Sequence, residues 1–140
     1  MVIETFDHTG DIGVRVSAPT LGELFGEAAR ALTDAITEVS AVEPRESRQV
    51  QVAASELDLL LLDFLSEVLF RFDSESWLTR RAEVAIEHSG SPLSLRATLH
   101  GETLDPSRHG VKVLVKAVTY HELRVERIGD VWRATMVFDI

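Results

Sequence analysis

The sequence predicts an α+β fold, a mostly antiparallel β-sheet with two main helices packed on one face. Three observations carry this. Two long stretches repeat apolar residues at three- and four-residue steps, as helices do. The second half alternates apolar and polar residues in short runs, as strands do. Gly-containing turns join those runs at hairpin spacing, and helices segregated to one face of such a sheet are the expected way to bury both apolar surfaces. The 140 residues fit a single domain, 1–140, with no internal repeat, low-complexity tract or linker.

Residues 1–6 read as a short strand, and a polar turn, Asp7-His8-Thr9-Gly10-Asp11, follows. Residues 12–16 alternate as a second strand, which Pro19 ends. Thr20 and Glu23 form a T-x-x-E capping box that starts the first helix. Its apolar face is Leu21, Leu24, Phe25, Ala28, Leu32, Ala35 and Ile36. A loop with Pro44 leads to a strand over 48–53. Ser55 and Asp58 suggest the cap of a second helix, in which Asp63, Glu67 and Arg71 make one narrow polar stripe. The remainder of that helix is apolar, so Leu59, Leu62, Leu65 and Leu69 are expected in the core.

Two runs around Gly90-Ser91-Pro92 read as a hairpin: Ala82, Val84, Ile86, then Leu93, Leu95, Ala97, Leu99. Val111, Val113, Val115 and Ala117 alternate as a further strand, with Lys112 and Lys116 on one face as surface charges. The last hairpin, 119–128 and 131–138, turns at Gly129-Asp130. That turn sets a register in which Ile128 faces Val131, Val125 faces Ala134, Leu123 faces Met136 and His121 faces Phe138. Continued, it places Asp139 opposite Tyr120.

Composition narrows the function. The chain has no cysteine, which excludes disulfides and thiolate metal sites and agrees with a reducing cytoplasm. Its longest apolar stretch, 57–72, is interrupted by Asp58, Asp63, Glu67 and Arg71, so it reads as a core helix and not a membrane span. Glu4 and Asp7 break any basic, apolar leader pattern at the start. The net charge of −9 disfavours a direct grip on nucleic-acid phosphates and favours a protein partner.

Three segments hold candidate chemistry. The turn Asp7–Gly13 gathers two carboxylates, an imidazole and a hydroxyl between apolar strands. The sequence closes on Phe138-Asp139-Ile140; if this is the natural end, the Asp139 carboxylate stands beside the terminal carboxylate of Ile140. Asp11 supplies a third carboxylate if the first and last strands are neighbours. Such anions repel unless a hard cation or a basic side chain lies between them; Lys112, Lys116 and Arg15 are the basic candidates. Oxygen-only ligation suits Ca²⁺ or Mg²⁺, with Mn²⁺ as a further option, better than zinc. The loop Leu104–Gly110 reads as a solvated turn with a cationic tip at Arg108 and His109. There is no cysteine nucleophile, G-x-S-x-G elbow, P-loop or G-x-G-x-x-G. A metal-dependent hydrolase built on Asp7, His8, Asp11, His109 and Asp139 is the alternative, on spacing that is not diagnostic. A general chaperone-like binding module is a third.

The motifs in series resemble those of the archeases. Asp7-His8-Thr9-Gly10-Asp11-Ile12-Gly13 resembles their D-H-T-A-D-I-G signature, with Gly10 where alanine is usual. Residues 56–70 resemble their central helix. His100-Gly101-Glu102, Asp105, His109 and Lys116-Ala117-Val118-Thr119-Tyr120-His121 resemble their late block, and Phe138-Asp139-Ile140 their C-terminus. The resemblance implies an activator of the GTP-dependent tRNA-splicing RNA ligase, not itself an enzyme. Such a protein promotes guanylylation of the ligase histidine, restores turnover and broadens nucleotide use. The resemblance also implies a divalent-metal site at Asp11, Asp139 and Ile140, with calcium as the cation expected there.

Overall fold

The computed structural model describes the backbone of residues 3–8 and 10–140, and the side chains of residue 5 and residues 10–140. The sequence expectations for the side chains of Asp7 and His8 and for Thr9 lie outside the described residues. Seven strands and two helices are described: β1 Ile3–His8, β2 Asp11–Ala18, α1 Leu21–Ile36, β3 Glu46–Ala54, α2 Leu57–Glu75, β4 Trp77–Glu87, β5 Leu93–Thr103, β6 Ala117–Ile128 and β7 Val131–Asp139. The α+β class holds, and every described strand pairing in the two sheets is antiparallel.

The strands divide between two sheets, β1-β2-β7-β6 and β3-β5-β4. Each helix touches both: α1 meets β2, β7 and β4, while α2 meets β6, β3, β4 and β5. The helices therefore lie between two apolar faces, and one continuous core runs through Val16, Phe25, Leu32, Phe64, Leu65, Leu99, Met136 and Phe138. Phe25 and Phe64 join the helices, with ring centroids 6.1 Å apart.

Local sequence explains the element ends. Thr20 caps α1, its hydroxyl accepting the Glu23 amide at 3.2 Å. The cap expected for α2 is different: Glu56 occupies the N-cap without a side-chain bond. Asp58 instead reaches outward, and its Oδ1 accepts the Val125 amide of β6 at 2.7 Å. That bond satisfies an amide on an edge strand, which otherwise invites foreign pairing. Leu65 and Leu69 are buried as expected, Leu59 and Leu62 only partly, and Leu60, Leu61, Phe64 and Val68 complete the buried face. The polar stripe is an accessible paired edge, with Arg71 3.4 Å from Glu67.

Helix α1 also seals the free edge of β4. A Cβ at Gly22 would stand 2.6 Å from the Val84 carbonyl oxygen, so that approach needs glycine. At Gly101 of β5 a Cβ would fall 1.8 Å from the Leu78 carbonyl oxygen.

Two expectations are corrected. Residues 112–116 form no regular strand; β6 begins at Ala117, and Val111 makes only an isolated bridge with Thr37. The hairpin register holds from Ile128↔Val131 to Arg124↔Thr135 and then shifts, so that Val118 faces Phe138 and Ala117 faces Asp139. Tyr120 and His121 are not those partners. The irregularity spans 120–123, where Glu122 takes φ +56, and it turns His121 outward to the surface.

Candidate functional site

The first two strands meet more tightly than the sequence suggested. Asp7, His8 and Asp11 belong to strands, with His8 opposite Asp11, and the connection is residues 9–10 alone. Gly10 there has φ +75, a left-handed conformation that glycine adopts without the strain a Cβ would add.

Strand β2 pairs with β7, and its register places Asp11 directly opposite Asp139. Directly opposed residues have Cβ atoms about 5 Å apart and project to the same sheet face. The chain continues to Ile140, whose amide donates to the Gly10 carbonyl at 3.3 Å. The Lys116 amide donates to the Asp139 carbonyl at 2.7 Å. The fold thus brings Asp11, Asp139 and Ile140 to one strand end, although Asp11 and Ile140 are 129 positions apart in sequence.

The Asp11 and Asp139 side chains are partly buried and carry no hydrogen bond or ion pair among the described residues. Of the basic side chains named as possible bridges, Lys112 is turned to Asp34 and Glu38, at 3.8 and 3.7 Å. Lys116 forms no ion pair with either carboxylate. Two like charges facing each other across a sheet are destabilising when unpaired. Among the described residues no three His, Asp or Glu side chains cluster in a way that could hold a metal. The Asp11–Asp139 pair therefore offers two side-chain donors, both hard carboxylates, which is the donor chemistry that suits Ca²⁺, Mg²⁺ or Mn²⁺.

The second cluster was legible only in outline. His109 was expected at an exposed cationic tip, but it is fully buried. Its Nδ1 accepts the Asp105 amide at 2.8 Å, so its proton sits on Nε2, which donates to Glu102 at 3.0 Å. Glu102 also accepts from the Arg108 guanidinium and from the Glu43 amide at 2.7 Å. Burial raises the Glu102 carboxyl's pKa, but the Arg108 and Glu43 hydrogen bonds outweigh it and hold the value at about 2. Asp105 braces the same turn by accepting both the amide and the hydroxyl of Ser107, at 3.0 and 2.7 Å. This network ties the 104–110 loop to β5. Glu102 stands in the sequence only as part of the His100-Gly101-Glu102 motif, with no role assigned; the available signal is a carboxylate beside Gly101 at the end of an apolar, alternating strand.

The described members of the hydrolase set do not gather. Asp11 and Asp139 meet, whereas His109 is committed to Glu102 and the Asp105 amide.

The fold and this strand end define a small acidic α+β protein that holds two helices between antiparallel sheets and ends on a pair of opposed carboxylates. The sequence profile of the Archease protein family (MTH1598/TM1083) matches residues 3–140. Protein archease of Pyrococcus abyssi is 42% identical over 138 residues, covering 98% of this chain and 97% of the relative. Protein archease of Methanopyrus kandleri is 39% identical over 137 residues, covering 98% of each. The solution structure of Methanobacterium thermoautotrophicum protein 1598 superposes with TM-score 0.87 at 31% identity, covering 99% of this chain and 98% of that one. A Thermotoga maritima archease, described as a possible chaperone, shares the fold at TM-score 0.59 and 24% identity, covering 100% of this chain and 98% of that one. The chain belongs to the archease family.

Proposed function

We propose that this protein activates the GTP-dependent tRNA-splicing RNA ligase and has no catalytic activity of its own. It promotes ligase guanylylation and turnover and modulates nucleotide use, acting in the cytoplasm on a protein partner. The observation that carries the reading is the opposed Asp11–Asp139 pair at the strand end, without a partner among the described residues and built from the two segments that resemble the archease signatures. Asp11, Asp139 and Ile140 hold a divalent cation in this reading, with calcium the expected occupant. A divalent cation held there would offset the negative charge of the opposed carboxylates and relieve their repulsion. The net charge of −9 supports action on a protein and not on RNA phosphates. Among the described residues no helix is long and apolar enough to cross a membrane.

The test is ligase guanylylation with limiting ligase, with and without this protein. Faster formation of the ligase–GMP adduct is expected. Phosphoester or RNA turnover by this chain alone, lost in Asp11→Ala, would support a hydrolase instead. Suppression of aggregation of unrelated proteins without any effect on guanylylation would support a chaperone-like module.

A further inference from the structure

We propose that residues 111–116 are a docking strand for an extended, acidic peptide segment of a partner protein, bound by β-augmentation. The inference goes beyond the activator reading and does not depend on it. The segment Val111-Lys112-Val113-Leu114-Val115-Lys116 has strong strand character in sequence, because β-branched residues recur at every second position. From Lys112 onward its burial alternates as in a strand: Lys112, Leu114 and Lys116 are exposed, Val113 is partly buried and Val115 is buried, while Val111 at the start is exposed. Yet it belongs to neither sheet.

Its backbone shows where pairing is open. The Lys112 amide donates to the Ile36 carbonyl and the Lys116 amide to the Asp139 carbonyl, both at 2.7 Å. In an extended chain alternate amides point to opposite sides. The Val113 and Val115 amides carry no hydrogen bond among the described residues, and an extended course of 112–116 would turn them away from those two bonds. Unsatisfied amides along an extended edge are what an added strand pairs with. Leu114 is 66% exposed, so the outward face has an apolar centre.

Charge selects the occupant. The outward face reads Lys-Leu-Lys in a chain of net charge −9. A second copy pairing antiparallel about Leu114 would set Lys112 against Lys116, and like charges directly opposite are destabilising. A strand with carboxylates flanking an apolar residue at alternate positions matches instead. Lys112 donates to the Asp34 backbone carbonyl at 2.9 Å but stands only at long range from the exposed Asp34 and Glu38 carboxylates, and Lys116 has no ion pair among the described residues, so no close ion pair neutralises either charge.

The probe is the end-blocked peptide Thr-Glu-Val-Ile-Val-Glu-Thr, titrated into the full chain at low salt with backbone amide shifts and hydrogen exchange as readouts. The expected result is slowed exchange and shifted resonances at Val113 and Val115. Binding should be about tenfold weaker in the Lys112→Glu/Lys116→Glu double variant, since two cross-strand pairs turn from attractive to repulsive. The counterpart Thr-Lys-Val-Ile-Val-Lys-Thr should bind the double variant better than the wild type. No change at Val113 and Val115 at millimolar peptide would overturn the proposal. Equal binding of both peptides to the wild type would do the same, as would undiminished binding of a backbone N-methylated peptide. Protection of these amides through concentration-dependent dimerisation, with no peptide present, would overturn it in favour of a second copy.

Discussion

Asp11 and Asp139 stand directly opposite one another on neighbouring antiparallel strands, and neither carboxylate has a partner among the described residues. Opposed like charges cost a sheet up to about 1 kcal/mol. Either substitution, Asp11→Asn or Asp139→Asn, should therefore raise stability slightly in chelator, by about 0.5 kcal/mol. The same variants should lose any rise in melting temperature that calcium gives the wild type. Thermal melts in EDTA and in millimolar Ca²⁺ check both halves.

Glu102 is a buried carboxylate held by three hydrogen bonds, from Arg108, His109 and the Glu43 amide. Its folded pKa of about 2 lies below the ordinary 4.5. A depressed carboxyl contributes stability that is fully present above the unfolded value and lost as pH falls through the folded one. Its contribution should therefore persist above pH 4.5 and decline toward pH 2. Glu102→Gln should flatten that part of the stability–pH curve, measured by urea unfolding across the range. Glu102→Ala strands the buried His109 donor and should cost about 3 kcal/mol at neutral pH.

Gly101 admits no side chain, because a Cβ there would fall 1.8 Å from the Leu78 carbonyl oxygen. Backbone cannot yield as a flexible side chain does. Gly101→Ala should destabilise by about 3 kcal/mol or more, read as a lower urea midpoint.

Asp58 ties the first turn of α2 to β6 through the Val125 amide. Asp58→Ala leaves that amide without its acceptor and should cost about 1–2 kcal/mol. Amide exchange at Val125 should quicken more than exchange in the centre of β7.

The fold was legible where sequence period and burial coincide. The T-x-x-E cap of α1, the Gly129-Asp130 turn and the β4–β5 hairpin all rest on local chemistry, and each is present. Division of the strands into two sheets was not legible, since alternation tells which side of a strand is apolar and not which strand lies beside it. The slip after Arg124 was hidden for a related reason: a register counted from a turn fails wherever residues are inserted, and 120–123 carry no glycine to mark the irregularity. Residues 112–116 show the converse, a strand signal with no partner strand in the described chain. At the candidate site, proximity of Asp11 to Asp139 followed from an assumption that the end strands are neighbours, and the β2–β7 pairing supplies it. His109 was misplaced because Asp-Pro-Ser-Arg-His reads as a surface turn, while the buried Glu102 that draws the imidazole inward is seven residues away.

The most direct measurement of the central claim is the rate of ligase guanylylation with wild-type protein and with Asp139→Ala, run beside calorimetric titration of Ca²⁺ into each. The account predicts that the wild type binds the cation and accelerates adduct formation, while folded Asp139→Ala does neither. A folded Asp139→Ala protein that activates the ligase as fully as the wild type would contradict it.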